Sequence, residues 1–233
     1  MIIASDNPSE QKPVVRWLGW LLLAQFIAVV TIKCAQGRAP ETLWLSHLTL
    51  GLTALAWLTG HHRLARIALT TIAVPHLLWL GDAAMLLATG RSPLNITAYL
   101  VYATAADWAA SAHHFYLLPL LWLTLRRQDG WDWVDALGAW ATIATAFGAA
   151  RILSSPSTNV NYAHGLLGAW RTPALDWINT APPTAFAASY LAITAILVVV
   201  PGSTIVYATT RRRAVNPRIA PTPPPRAKKS APT

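Results

Sequence analysis

The stretch Ile67-Ala-Leu-Thr-Thr-Ile-Ala-Val-Pro-His-Leu-Leu-Trp-Leu-Gly-Asp-Ala-Ala-Met-Leu-Leu-Ala-Thr89 decides how the chain is read. A helix of about 20 mainly apolar residues, with about 17 to 25 tolerated, spans the hydrocarbon core of a bilayer. This run has that length, and its only ionisable groups are His76 and Asp82. Five further runs have similar character: roughly Trp17 to Ala35, Thr42 to Thr59, Trp108 to Leu125, Trp133 to Leu153 and Ala185 to Tyr207. The piece Ile96 to Ala106 is only weakly apolar and reads as a loop or interfacial helix; counted as a span, it would make seven. With 54% hydrophobic and 12% charged residues among 233, the chain lacks the charged surface of a soluble domain. The expected fold is therefore all-α, a polytopic membrane helix bundle of six spans, multi-pass in a bacterial cell membrane.

Charge sets the orientation. Lys12, Arg16, Arg63, Arg66, Arg126, Arg127 and the seven basic residues from Arg211 to Lys229 fall on one side. Lys33, Arg38, Arg91, Arg151 and Arg171 fall on the other. The positive-inside bias makes both termini cytoplasmic. Three segments follow: a polar N-terminal piece at 1–13, a transmembrane domain at 14–210, and a basic, proline-rich tail at 211–233 that reads as disordered. The expected partners are membrane lipids, with anionic headgroups at the tail; the charge pattern reads as topology, not as nucleic-acid binding. The single cysteine, Cys34, excludes an internal disulfide and a cysteine-based metal site. No cofactor is implied, and no soluble-enzyme signature is present.

This topology gives every polar residue a depth, and the distribution is lopsided. Thr42, Ser46 and His47 fall in the outer third of span two; Pro75 and His76 near the middle of span three; Asp82 in its outer half. Asp107, Ser111, His113 and His114 sit in the outer part of span four. The outer loop from Ser154 to Pro183 carries Asn159, Asn161, Tyr162 and His164. An ionisable group in a span costs a few kcal/mol and usually serves a function, about 2.5 to 3.5 on insertion scales. Asp82 is thus a candidate, with a capped interfacial carboxylate as the alternative. Thr42, Ser46, Thr49 and Thr53 share one helical face. Packing accounts for the last two, while the first two lie level with the histidines. Asp107, Ser111 and His114 also share a face, and His113 is rotated about 100° from it, so His114 is expected in the pocket and His113 outside it. Pro119 is expected to kink the helix beside His114.

His114-x-x-Leu117-Leu118-Pro119 resembles the His-x-x-x-Leu-Pro motif of the androgen-induced-protein family. These are six-helix membrane hydrolases that use a threonine and a histidine on fatty-acid esters of hydroxy fatty acids. Thr42, seventeen residues before Leu58-Thr59, is similar in spacing to that family's nucleophile, and Ala73-Val-Pro75 is similar to its Ala-Phe-Pro. Ser111 and Phe115 stand where the family has His and Thr. Asn161-Tyr162 resembles a motif of the related bacterial YwaF-type membrane proteins. The resemblance implies Thr42 as nucleophile and His114 as base.

The reading that follows is a membrane-embedded lipid ester hydrolase or acyltransferase opening to the outer leaflet. Thr42, Ser46, His114 and Asp82 are its candidate catalytic residues; Asn159, Asn161, Tyr162 and Ser111 would contact substrate or the oxyanion. A metal-dependent hydrolase drawing on His47, His76, His113, His114 and Asp82 ranks lower, since no ligand pair shares a helix face, and no metal ligand is assigned. A non-enzymatic carrier or assembly protein is the third alternative.

Overall fold

The computed structural model describes residues 8–126, 128, 130–166 and 173–210, and helix is the only regular structure among them. The α-helices are α1 (Pro8–Ala35), α2 (Leu45–Thr59), α3 (His62–Thr89), α4 (Ala105–Ser111), α5 (His113–Leu125), α6 (Trp133–Leu153), α7 (Pro173–Thr180), α8 (Pro183–Thr194) and α9 (Val200–Thr210). Short 3-10 turns at Ala39–Leu43, Ala98–Tyr102 and Val160–Tyr162 stand between them. Four stretches, Arg16–Ala35, His62–Thr89, Trp133–Leu153 and Pro183–Thr210, are long and apolar enough to cross a membrane. The tail from Arg211 lies outside the described residues, as does the start of the N-terminal segment; residues 8–13 of that segment already belong to α1.

Neither of the remaining two expected spans is one long helix. Pro40 opens the turn Ala39–Leu43, and Trp44 takes extended backbone with ψ 133°, so α2 starts only at Leu45 and Thr42 lies off it. Span four divides at Ala112 into α4 and α5, and α5 continues through Pro119. The interruption therefore precedes the histidines instead of following them. At 15 and 13 residues, α2 and α5 rise about 20 Å each, short of the roughly 30 Å of a bilayer core. In span six a π turn at Ala195–Val199 lets the Val200 N–H donate to the Ala195 carbonyl. Pro201 has no N–H to offer one residue further on, and the wider turn absorbs the defect.

Packing is organised by α3, which lies against α2, α5, α6 and α9. Its apolar side, with Ala65, Ala68, Leu69, Ile72 and Ala73, is fully enclosed by Leu50, Ala54, Leu117, Leu121 and Val206 of its neighbours. A Cβ on Gly202 would overlap the Thr70 carbonyl, so α9 crosses α3 at backbone contact, the close approach that small residues permit. Polar contacts identify the two ends of the bundle. Arg63 pairs with Asp132 at 2.8 Å, Arg66 with Asp135 at 2.7 Å, and the Trp131 N–H donates to the Thr210 hydroxyl at 3.3 Å. These bonds place the α2–α3 turn, the α5–α6 turn and the end of α9 together. At the opposite end Arg38 meets Asp107 at 3.0 Å, and the Asn161 amide donates to the Leu43 carbonyl at 2.7 Å. The connections after α1, α3 and α6 meet there.

Candidate functional site

Four histidines converge where α2, α3 and α5 meet. The His113 and His114 rings lie 4.1 Å apart, His76 stacks on His114 at 4.8 Å, and His47 stands 5.2 Å from His113. All four are buried. As helical spacing predicts, His113 turns toward His47 of α2 and lines no chamber, while His114 stacks on His76 of α3. Both histidines occupy the first turn of α5, and each ring folds back onto the carbonyl three residues earlier. The Nδ1–H of His113 donates to Ala110 and that of His114 to Ser111, both at 2.9 Å. The Nδ1–H of His47 donates to the Glu41 carbonyl at 2.9 Å. A carbonyl only accepts, so these bonds fix the tautomer. In the neutral ring Nε2 then carries the lone pair. Among the described residues nothing bonds to Nε2 of His76 or His113, although both are sealed from solvent. Trp79, three residues from His76 on the same face of α3, stacks on His114 at 4.2 Å.

Two chambers meet at this cluster. The larger, of 420 Å³, is bounded mainly by apolar side chains of α3, α6 and the α8–α9 region, with His76 and Asn161 at its polar edge. The smaller, of 220 Å³, holds Lys33, Arg38, Glu41, His47, Tyr99 and Ser111. Ser46, His114 and Tyr162 line both. The charges of the polar chamber are paired: Lys33 lies 3.0 Å from Glu41, and Arg38 forks onto the two Glu41 oxygens at 2.6 Å each. The Glu41 hydrogen bond comes first among the influences that raise the Arg38 guanidinium above its ordinary value, against the opposing effect of burial.

The other expected site residues divide sharply. The Ser46 hydroxyl has no bond to any described group and faces the junction. Thr42 lines neither chamber; its hydroxyl donates to the Ala39 carbonyl at 2.7 Å within the 3-10 turn. Asp82 is also outside both chambers. Its carboxylate accepts from the Ser92 and Thr97 hydroxyls and from the backbone N–H groups of Leu94, Ile96 and Thr97. It folds the loop after α3, the capped alternative. Asn159 ties its own loop, donating to the Gly165 carbonyl and accepting from the His164 N–H.

Asn161 serves as a cap supplied from a distant loop. Its Oδ1 accepts from the Leu45 N–H at 2.9 Å and its Nδ2 donates to the Leu43 carbonyl, so it satisfies the first turn of α2, where Trp44 supplies no side-chain cap. The Tyr190 hydroxyl in turn donates to the Asn161 carbonyl at 2.7 Å. Asn159, Asn161 and Tyr162 all have positive φ, at 39°, 52° and 56°. For tyrosine this is a strained backbone, held where the loop walls the cavity. Burial, then the Asp82 charge, pushes the Tyr162 hydroxyl up to about 12, which keeps it a donor at neutral pH. Ser111 shares a 3.0 Å hydrogen bond with the Tyr99 hydroxyl in the polar chamber.

Trp79, Tyr99, Tyr190 and the Lys33–Arg38–Glu41 group escaped the sequence reading. Only Trp79 carried a usable signal, its spacing of three from His76. No protein-family model, no curated protein and no solved structure matches this chain.

Proposed function

We propose that the chain is a six-pass membrane protein with both termini cytoplasmic, and that it hydrolyses or transfers the acyl group of a lipid ester at the junction of its two chambers. The alternation of connections between the two ends of the bundle supports the topology: α4 with α5 makes one pass and α8 through α9 another. One observation carries the functional reading. An apolar chamber of 420 Å³ and a polar chamber of 220 Å³ share a wall of Trp44, Trp79 and Ile96 in which Ser46, His114 and Tyr162 are the polar members. An amphiphile fits this division, with its acyl chain in the first chamber, its polar part in the second, and its ester at His114.

The chemistry follows from the lone pair on His114 Nε2. An ester carbonyl needs an activated oxygen nucleophile and a donor for the developing oxyanion. Ser46, or a water beside it, is the oxygen at hand, and the Tyr162 hydroxyl is the donor. Thr42, the nucleophile implied by the family resemblance, does not share the junction, so Ser46 takes its place here.

The test is turnover of a long-chain acyl ester by protein reconstituted in liposomes, with a fluorophosphonate probe in parallel. Turnover lost in His114→Ala supports the reading, and labelling lost in Ser46→Ala assigns the nucleophile. Turnover indifferent to His114→Ala in folded protein sinks it.

A further inference from the structure

We propose that His76, His113 and His114 bind a divalent transition metal ion of the zinc class, and that this ion is the Lewis acid of the junction. The metal site rests on the histidine geometry alone; its catalytic part rests on the lipid-ester reading above, with His114 Nε2 now a ligand, His47 the base in its place, and metal-bound water the nucleophile instead of Ser46.

One nitrogen from each of the three rings lies within 4.8 Å of the other two. Zinc–imidazole bonds of about 2.0 to 2.1 Å in a tetrahedron require nitrogens roughly 3.3 Å apart, so the widest pair has to close by roughly 1.5 Å. Small rotations of χ1 and χ2 supply that movement. The outer support is already in place. Ligating imidazoles characteristically donate their second N–H to a backbone carbonyl or carboxylate, which fixes the tautomer and aims the lone pair. His113 and His114 do so through Ala110 and Ser111. The Nε2 atoms of His76 and His113 are buried without a partner, a costly arrangement for a polar atom in an apolar interior. A cation satisfies all three rings at once, and no cysteine or carboxylate has to be brought in.

Three protein ligands leave a fourth position open, the pattern of catalytic rather than structural zinc. His76 and His114 both border the apolar chamber, and His114 also borders the polar one, so that position faces the ester. A water bound there loses a proton to Nε2 of His47, whose Nδ1–H is held by Glu41. The hydroxide adds to the ester carbonyl carbon, the acyl C–O bond breaks, and the departing alkoxide recovers the proton from His47. Ester and water become acid and alcohol, and no redox partner is needed.

The test uses full-length protein purified in detergent through an affinity tag free of histidine, with metal content measured by mass spectrometry. The expected result is close to one equivalent of zinc-class metal per chain, falling at least tenfold in His76→Ala and in His113→Ala and unchanged in His164→Ala. Cobalt loading of the wild type gives a second readout that requires no variant: an intense visible spectrum of four-coordinate cobalt, altered by a long-chain fatty acid. Less than a tenth of an equivalent in zinc-supplemented wild type, or equal metal in all variants, overturns the site. Stoichiometric metal without ester turnover leaves the site standing and removes the hydrolase reading. Full turnover after chelation to below a tenth of an equivalent removes the Lewis-acid role.

Discussion

Asp82 and the histidine cluster are both buried, polar and in the same half of the bundle, yet they differ in what is left over once the protein has supplied partners. The Asp82 carboxylate accepts five hydrogen bonds from the loop it organises. His113 and His114 anchor Nδ1 on backbone carbonyls, Nε2 of His76 and of His113 is left unmatched, and His114 stands at the boundary of two chambers. A buried polar group with a complete set of partners holds the fold, whereas one supported on a single side is poised for a ligand or a proton. Sequence alone ranks Asp82 above His76, because a carboxylate in a span is rarer and more expensive; partners reverse that order.

The contrast yields measurements of decreasing size. His114→Ala should lower ester turnover by about 10² to 10⁴, the usual worth of a positioned acid–base group, while size-exclusion profile and helix content stay those of wild type. Asp82→Ala should do the opposite. Leaving several buried donors unmatched costs about 3 to 5 kcal/mol, read as a lower unfolding midpoint in detergent, with normal turnover in the fraction that remains folded. If Asp82→Ala instead abolished turnover without loss of stability, the division between the two regions would be wrong. Asn161→Ala should fall between them. It removes a trans cap worth about 1 to 2 kcal/mol and loosens the start of α2, where Ser46 stands, so KM should rise more than kcat falls. The smallest effect belongs to Thr42→Ala, with turnover within about twofold and stability within about 0.5 kcal/mol, the range of surface changes away from special features.

How far the chain could be read depended on whether a residue's role is local. Length and hydropathy marked the long helices, because a bilayer imposes the same requirement on each. The crowding of polar residues toward one end of the bundle is also seen, since position along a helix follows from position in the sequence. Thr42 was misplaced because helical spacing was carried across Trp44, whose extended backbone ends the periodicity. The division between His113 and His114 was legible, since Ala112 keeps helical backbone and the rotation of about 100° between the two residues leaves only His114 lining the chambers. The Asn161 cap joins residues 116 and 118 apart in sequence, and no local pattern announces such a pairing. The three clustered histidines come from two helices, α3 and α5, so no spacing along a single helix face reveals them.

The central claim is that chemistry resides in the incompletely satisfied histidines, not in the threonine and aspartate that stand out in the sequence. It is tested most directly by measuring turnover of one long-chain ester in matched proteoliposomes carrying wild type, His114→Ala, Asp82→Asn or Thr42→Ala, normalised to folded protein. A loss of at least about 10² in the histidine variant, with the other two within a fewfold of wild type, is the predicted result. A histidine variant as active as wild type, or a Thr42→Ala protein as inactive as His114→Ala, would contradict it.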